Sequence, residues 1–145
     1  MRRAEPGPGS SGGPILVVDD NDDVRGMLAQ ALELEGYQVD TARDGVDALS
    51  RMRQSPPPRL VLLDLYMPRL DGFGVRKEQL KDRHLSAIPV VIYSGHHDVR
   101  QAARTMGIDG YFQKPFDLDE ILTMVNERLG RETVPRAKPR PVRDW

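Results

Sequence analysis

Asp64 closes the apolar run Leu60-Val61-Leu62-Leu63, and an earlier run, Ile15-Leu16-Val17-Val18, ends the same way on Asp19-Asp20. Runs of this length and composition predict strands buried on both faces of a parallel sheet. A carboxylate at the carboxyl end of such a strand lies where open α/β sheets place their ligands. Three acids brought to one sheet edge raise one another's pKa, which is costly unless a cation sits among them. Lys114, just after a further apolar segment, adds an ammonium to the set. Three carboxylates, one divalent metal and one ammonium sum to zero charge, the balance expected of a built site.

The elements that must position these residues follow from local patterns. Asn21 and Asp22 can cap a helix whose apolar positions Val24, Met27, Leu28, Ala31, Leu32 and Leu34 recur at helical spacing, with Gly36 as its stop. Residues 37–41 read as a short second strand. After Asp44-Gly45 comes a helix through Val46, Ala48, Leu49 and Met52, ended by Pro56-Pro57-Pro58, which remove donors and fix φ. The third strand is 60–63, and the loop Met67-Pro68-Arg69-Leu70-Asp71-Gly72 leads to a third helix from about Phe73 to Arg83. Residues 89–93 form the fourth strand, Asp98 to Met106 a fourth helix closed by Gly107, and 110–113 the fifth strand. Asp117 caps a last helix ending near Leu129. Five strands alternating with five helices predict a doubly wound α/β fold, because parallel strands need crossovers and the crossover helices cover both faces.

Composition bounds the rest. The 145 residues suit one domain. Twenty-one basic residues against 22 acidic ones give no sign of a nucleic-acid partner. Cysteine is absent, which excludes disulfides and thiolate metal sites. No apolar stretch approaches the roughly 20 residues of a membrane span, and the start lacks the apolar core of a signal peptide, so a cytoplasmic protein is expected. Residues 1–13, rich in Gly and Pro, read as a flexible arm, and 14–130 as the domain. Residues 131–145 carry five basic against two acidic side chains, with three prolines among neighbours of no apolar pattern. That composition suits a basic Pro-rich tail, and also a docking segment for an acidic surface with Trp145 as anchor.

The chain resembles the receiver domains of two-component response regulators, stand-alone chemotaxis receivers among them. The resemblance rests on Val17-Val18-Asp19-Asp20-Asn21, on Leu63-Asp64-Leu65-Tyr66-Met67-Pro68-Arg69-Leu70-Asp71-Gly72, on Ile92-Tyr93-Ser94-Gly95 and on Gly110-Tyr111-Phe112-Gln113-Lys114-Pro115-Phe116. These pieces stand in family order and spacing across roughly residues 14–130. The resemblance implies a flavodoxin-like five-stranded parallel sheet of order 2-1-3-4-5 with five helices. It implies Asp64 as phospho-acceptor and a Mg²⁺ site of Asp19, Asp20, Asp64 and the backbone carbonyl of Tyr66, oxygen donors that Mg²⁺ prefers. Ser94 and Lys114 would contact the phosphoryl group, Tyr111 would be the aromatic switch, and Lys114-Pro115 would be a cis peptide. Tyr66 and His96 would flank the path of the hydrolytic water. The phosphodonor would be a histidine kinase or phosphotransfer protein. Output would leave by protein contact through the face of the fourth helix, fifth strand and last helix, with no direct nucleic-acid or membrane contact.

Other patterns carry less. Gly12-Gly13 precedes a strand without the G-x-G-x-x-G of a dinucleotide site. His96-His97 lacks a nearby third nitrogen or sulfur ligand, so a solvated or partner-facing pair is the expectation. Tyr66 and Gly95 depart from the smaller residue and the alanine that are commoner at their positions in the family, which bears on rate and partner. The expected function is a Mg²⁺-dependent phospho-accepting switch, whose own phosphorylation and dephosphorylation are its only catalysis. Two alternatives are a receiver-like binding module regulated without phosphorylation and a small aspartyl-phosphate hydrolase. The intact acid set with Ser94 and Lys114 speaks against the first. The second acid that a haloacid-dehalogenase-type phosphatase needs is missing from Asp64-Leu65-Tyr66. The short tail leaves no room for an output domain, so a stand-alone receiver is expected.

Overall fold

Alternation along the strands sorts the core into two layers. In the computed structural model, which describes residues 12–108 and 110–130, β1 (Ile15–Val18) is buried along its whole length. Its Leu16 and Val18 point to one apolar cluster, and Ile15 and Val17 to the other. The same alternation recurs in β3 (Leu60–Asp64) and β4 (Val90–Ser94), both fully buried, as a pleat with helices on each face requires. β2 (Val39–Ala42) and β5 (Gly110–Gln113) are the edges. All neighbours pair in parallel, in the order β2-β1-β3-β4-β5. Residues 1–11 of the expected arm and the whole of the 131–145 tail lie outside the described residues.

α1 (Asp22–Leu34) and α6 (Leu118–Arg128) pack on one face, contributing Leu28, Leu32, Ile121, Leu122 and Val125. α2 (Gly45–Met52), α3 (Gly72–Lys81) and α5 (Val99–Met106) cover the other with Leu49, Met52, Val75, Ala103 and Met106. Side-chain caps start four of these helices where the sequence places them or next to it. Asn21 accepts from Val24, Asp44 from Asp47, Asp71 from Gly74 and Asp117 from Asp119, each satisfying an orphan amide of a first turn.

Among the described residues the expected five helices are six. The third was expected to run to Arg83, but α3 stops at Lys81, and Asp82, at φ −115° and ψ 119°, caps a separate turn, α4 (Arg83–Ser86). The reason is tertiary. Gln79 is fully buried, and its amide donates to the carbonyls of Leu85 at 2.8 Å and Ile88 at 2.9 Å. Those carbonyls reach it only if the chain turns back on α3 instead of extending it.

Candidate functional site

The carboxyl ends of β1 and β3 are adjacent, with Val18 paired to Leu63, so Asp19 and Asp64 follow side by side. Asp19 is wholly buried and Asp64 is 5% exposed, while Asp20 faces solvent. One carboxylate oxygen from each of the three lies within 4.8 Å of the others. Lys114, immediately after β5, brings Nζ to 3.4 Å from Asp19 Oδ2 and 3.5 Å from Asp64 Oδ2. The Lys114–Pro115 peptide is cis, as the resemblance implies. The Lys114 amide donates to the Ser94 carbonyl at 2.8 Å, which ties the lysine segment to the end of β4.

Asp19 is held from several directions. Its Oδ1 accepts from the Asn21 amide at 2.9 Å. Its Oδ2 lies 3.0 Å from the Tyr93 hydroxyl, which also lies 3.1 Å from the Val18 carbonyl. Its own carbonyl accepts from Arg25 at 2.8 Å. Asp64 is less well compensated. Burial first, then the charge of Asp19, pushes its carboxyl up to about 6, and Lys114 pulls it back only in part. Burial and the same two acids raise the Tyr93 phenol well above its ordinary value, keeping it a neutral donor.

This donor set fits a hard divalent cation. Three carboxylate oxygens converge, one from an exposed residue that leaves a solvent-facing side for water ligands, in the manner Mg²⁺ prefers. A carboxyl poorly stabilised as an anion is also what a bound cation relieves. The β3–α3 loop is drawn close to the acids by Gly72, whose amide donates to Leu65 O at 2.8 Å. A Cβ there would meet Asp64 O and Leu65 Cα at 2.8 Å, closer than any side chain tolerates.

Ser94, one position beyond the Tyr93 that pairs with Asp64, is buried, and its hydroxyl accepts from the His96 amide at 3.0 Å. Tyr66 and His96 lie against each other. Their ring centroids are 4.1 Å apart, and the Tyr66 hydroxyl donates to Asp98 Oδ2 at 3.0 Å. Tyr111 stands apart from the acids, opposite Ile92 on the edge strand and 37% exposed.

Two contributors escaped the sequence reading. Tyr93 was legible only as an apolar strand residue, although a phenol inside a buried strand needs a partner, and the nearest strand ends carry the acids. Asp98 was expected to begin the fourth helix, but α5 starts at Val99. It makes no side-chain cap bond there, because its carboxylate is turned toward Tyr66.

Comparison with known proteins agrees with this geometry. Residues 15–126 match the family model described as the response regulator receiver domain. A probable transcriptional regulator ycf27 of Cyanophora paradoxa is 40% identical over 123 residues, 83% of this chain and 50% of that protein. The response regulator MprA of Mycobacterium avium is 40% identical over 119 residues, 81% of this chain and 51% of its own. This chain thus spans about half the length of these curated relatives. Among solved structures, the receiver domain of NtrX from Brucella abortus superposes with a TM-score of 0.71 at 34% identity, covering 81% of this chain and 99% of that one. A CheY-like receiver domain from Methanospirillum hungatei gives 0.73 at 25% identity, covering 83% and 95%. The chain belongs to the response regulator receiver domain family of two-component systems. No helix among the described residues is long and apolar enough to cross a membrane.

Proposed function

We propose that this domain is a Mg²⁺-dependent phospho-accepting switch with Asp64 as the acceptor. The observation that carries the reading is the buried Asp64 carboxyl, flanked by Asp19 and Asp20 and touched on Oδ2 by Lys114. A carboxylate oxygen of Asp64 attacks the phosphorus of a phosphohistidine on a kinase or phosphotransfer protein. The O–P bond forms, the P–N bond breaks, and the imidazole leaves with the electron pair and takes up a proton from solvent. Asp19, Asp20, Asp64 and the Tyr66 carbonyl are the ligands assigned to Mg²⁺, which when bound neutralises charge on the transferring oxygens. The Lys114 ammonium, a compact point charge, shifts from the carboxylate to a phosphoryl oxygen without needing a fixed geometry.

The same product resets the switch. Once Asp64 carries phosphoryl oxygens, the Ser94 hydroxyl turns from the His96 amide to donate to one of them, and Tyr111 moves inward behind it. The altered surface of α5, β5 and α6 is then read by a downstream partner. Residues 14–130 suffice for this cycle, and residues 1–13 and 131–145 do not take part in phosphoryl transfer. The test is mass spectrometry after incubation with a small phosphodonor and Mg²⁺. One phosphoryl adduct in the wild type and none in a folded Asp64→Asn variant is the expected result. Undiminished labelling of that variant overturns the assignment.

A further inference from the structure

Tyr93 is buried within β4, where an aliphatic side chain would serve the packing and a phenol needs a polar partner. Its partners are the charged groups of the site. The hydroxyl lies 3.0 Å from Asp19 Oδ2 and 3.1 Å from the Val18 carbonyl, with its one proton between them. Asp19 Oδ1 accepts from the Asn21 amide at 2.9 Å, so the carboxylate is held through both oxygens. The face of the same ring lies 5.2 Å from Lys114 Nζ, within the roughly 6 Å at which a ring attracts a cation. Phe116 fixes the plane of that ring, edge to face, with centroids 5.7 Å apart and planes at 85°. The Tyr93 carbonyl accepts from the Leu65 amide at 3.2 Å, beside Asp64.

We infer that Tyr93 is a positioning residue for phosphoryl transfer, acting through Asp19 with its hydroxyl and through Lys114 with its ring. The inference rests on the proposed function for the chemistry it serves. Asp19 Oδ2 is contested by two donors, the hydroxyl at 3.0 Å and the Lys114 ammonium at 3.4 Å. With the hydroxyl gone, the ammonium is the donor left at that oxygen of a wholly buried carboxylate. The two then close into a pair that a metal must break. The hydroxyl thus keeps Asp19 open to Mg²⁺. The ring acts on the other partner. A lysine stem is flexible, and Lys114 is partly exposed. An ammonium attracted to the ring face stays beside both acids without being locked to either, free to pass to a phosphoryl oxygen.

Two variants of the full chain separate the ends of the residue. Tyr93→Phe keeps the ring and loses the hydroxyl, and Tyr93→Leu loses both. Calorimetric titration with Mg²⁺ should give a Kd raised about tenfold in Tyr93→Phe, the lower end of what outer partners of metal ligands contribute. Labelling of that variant by a small phosphodonor should be slowed far more at limiting than at saturating Mg²⁺. Tyr93→Leu should lose the same metal affinity and also label several-fold more slowly at saturating Mg²⁺. Without metal or phosphodonor, the ring current should hold the Lys114 ε-CH₂ protons upfield in the wild type and Tyr93→Phe, and release them in Tyr93→Leu. Tyr37→Phe is the control for lost stability alone. This buried phenol donates to Asn126 at the amino edge of the sheet, and its removal should leave the Mg²⁺ Kd in place. A Kd unmoved in folded Tyr93→Phe, or moved equally in Tyr37→Phe, overturns the inference. So do Lys114 resonances that coincide in the wild type and Tyr93→Leu, or equal labelling of these two at saturating Mg²⁺. A wild type that binds no Mg²⁺ or accepts no phosphoryl group instead overturns the proposed function, and the Asp19 half of the inference with it.

Discussion

At the carboxyl edge of the sheet each buried acid is tied to a different element of the chain. Asp19 of the β1 end meets Tyr93 of β4 and Lys114 beyond β5, and Asp64 of β3 shares the same lysine. The β5–α6 flank is built the other way. Along β5 only Gly110 is buried, Tyr111 and Gln113 face outward, and the acids of α6 project from one helix into solvent. A change at the edge therefore leaves a charge without its counter-charge in a place water reaches poorly, where the cost is highest. A change on the flank removes contacts that solvent replaces, with effects usually within about 0.5 kcal/mol. The acids are locked by cross-strand ties, and under the proposed function partner choice falls to a surface that can vary cheaply.

The largest expected effect breaks the edge at its cation. Lys114→Met leaves Asp19 and Asp64 facing each other, and with Lys114 partly exposed the loss should be about 2–3 kcal/mol in metal-free buffer. Tyr111→Ala on the flank should cost less than about 1 kcal/mol while weakening partner binding. Urea melts of the two variants set the comparison directly; similar midpoints would mean the edge is no more constrained than the flank.

Close behind comes the metal itself. Mg²⁺ at a hundredfold excess over Kd should stabilise the wild type by about 2.7 kcal/mol, and an Asp20→Ala variant should lose most of that gain. Thermal melts with Mg²⁺ and with a chelator measure it. An equal gain in Asp20→Ala would remove this residue from the ligand set.

The pH dependence sharpens the same contrast. The folded Asp64 carboxyl, at about 6, binds its proton more tightly than the unfolded one at 3.8. Its neutral form is thus the one folding favours, so metal-free stability is greatest below about pH 4 and falls as pH rises through about 6. Two pK units correspond to at most about 3 kcal/mol. Asp64→Asn should flatten this decline. With Mg²⁺ the trend should reverse, because the ligands must be deprotonated to bind. Denaturant melts across about pH 4 to pH 7, with and without metal, give both slopes.

Why the sequence revealed the edge better than its supports follows from the same physics. Asp19, Asp64 and Lys114 announce themselves because a charge abutting an apolar run has few structural excuses. The strand order and the parallel pairing follow from buried runs alternating with helical periodicity, and Gly107, at φ 68°, closes α5 as its position suggests. The break at Asp82 was hidden because it depends on Gln79, six residues or more from the carbonyls it binds. The role of Asp98 was hidden because its partner, Tyr66, lies 32 residues away in sequence. Tyr93 shows the middle case. Its Tyr93→Phe variant should cost about 1 kcal/mol, the worth of one hydrogen bond, read as a lower midpoint in a urea melt. An unmoved midpoint would leave Tyr93 as packing alone.

The smallest effect on stability has the most direct bearing on how long a signal lasts. Hydrolysis of the acyl phosphate needs a water in line with the Asp64 oxygen–phosphorus bond, so whatever stands in that approach sets the lifetime. Tyr66 and His96 lie tilted against each other with ring centroids 4.1 Å apart, and Asp98 accepts from the phenol at 3.0 Å. Under the proposed function, rings held in this way are expected to exclude or misplace the water. Asp98→Ala frees the phenol without touching either ring, and being exposed it should cost under about 0.5 kcal/mol. The phosphorylated form should decay several-fold faster in Asp98→Ala and Tyr66→Ala than in the wild type, followed by loss of the phosphoryl adduct over time. Slower decay in His96→Ala would mean that the imidazole orients the attacking water, and shielding would give way to assistance.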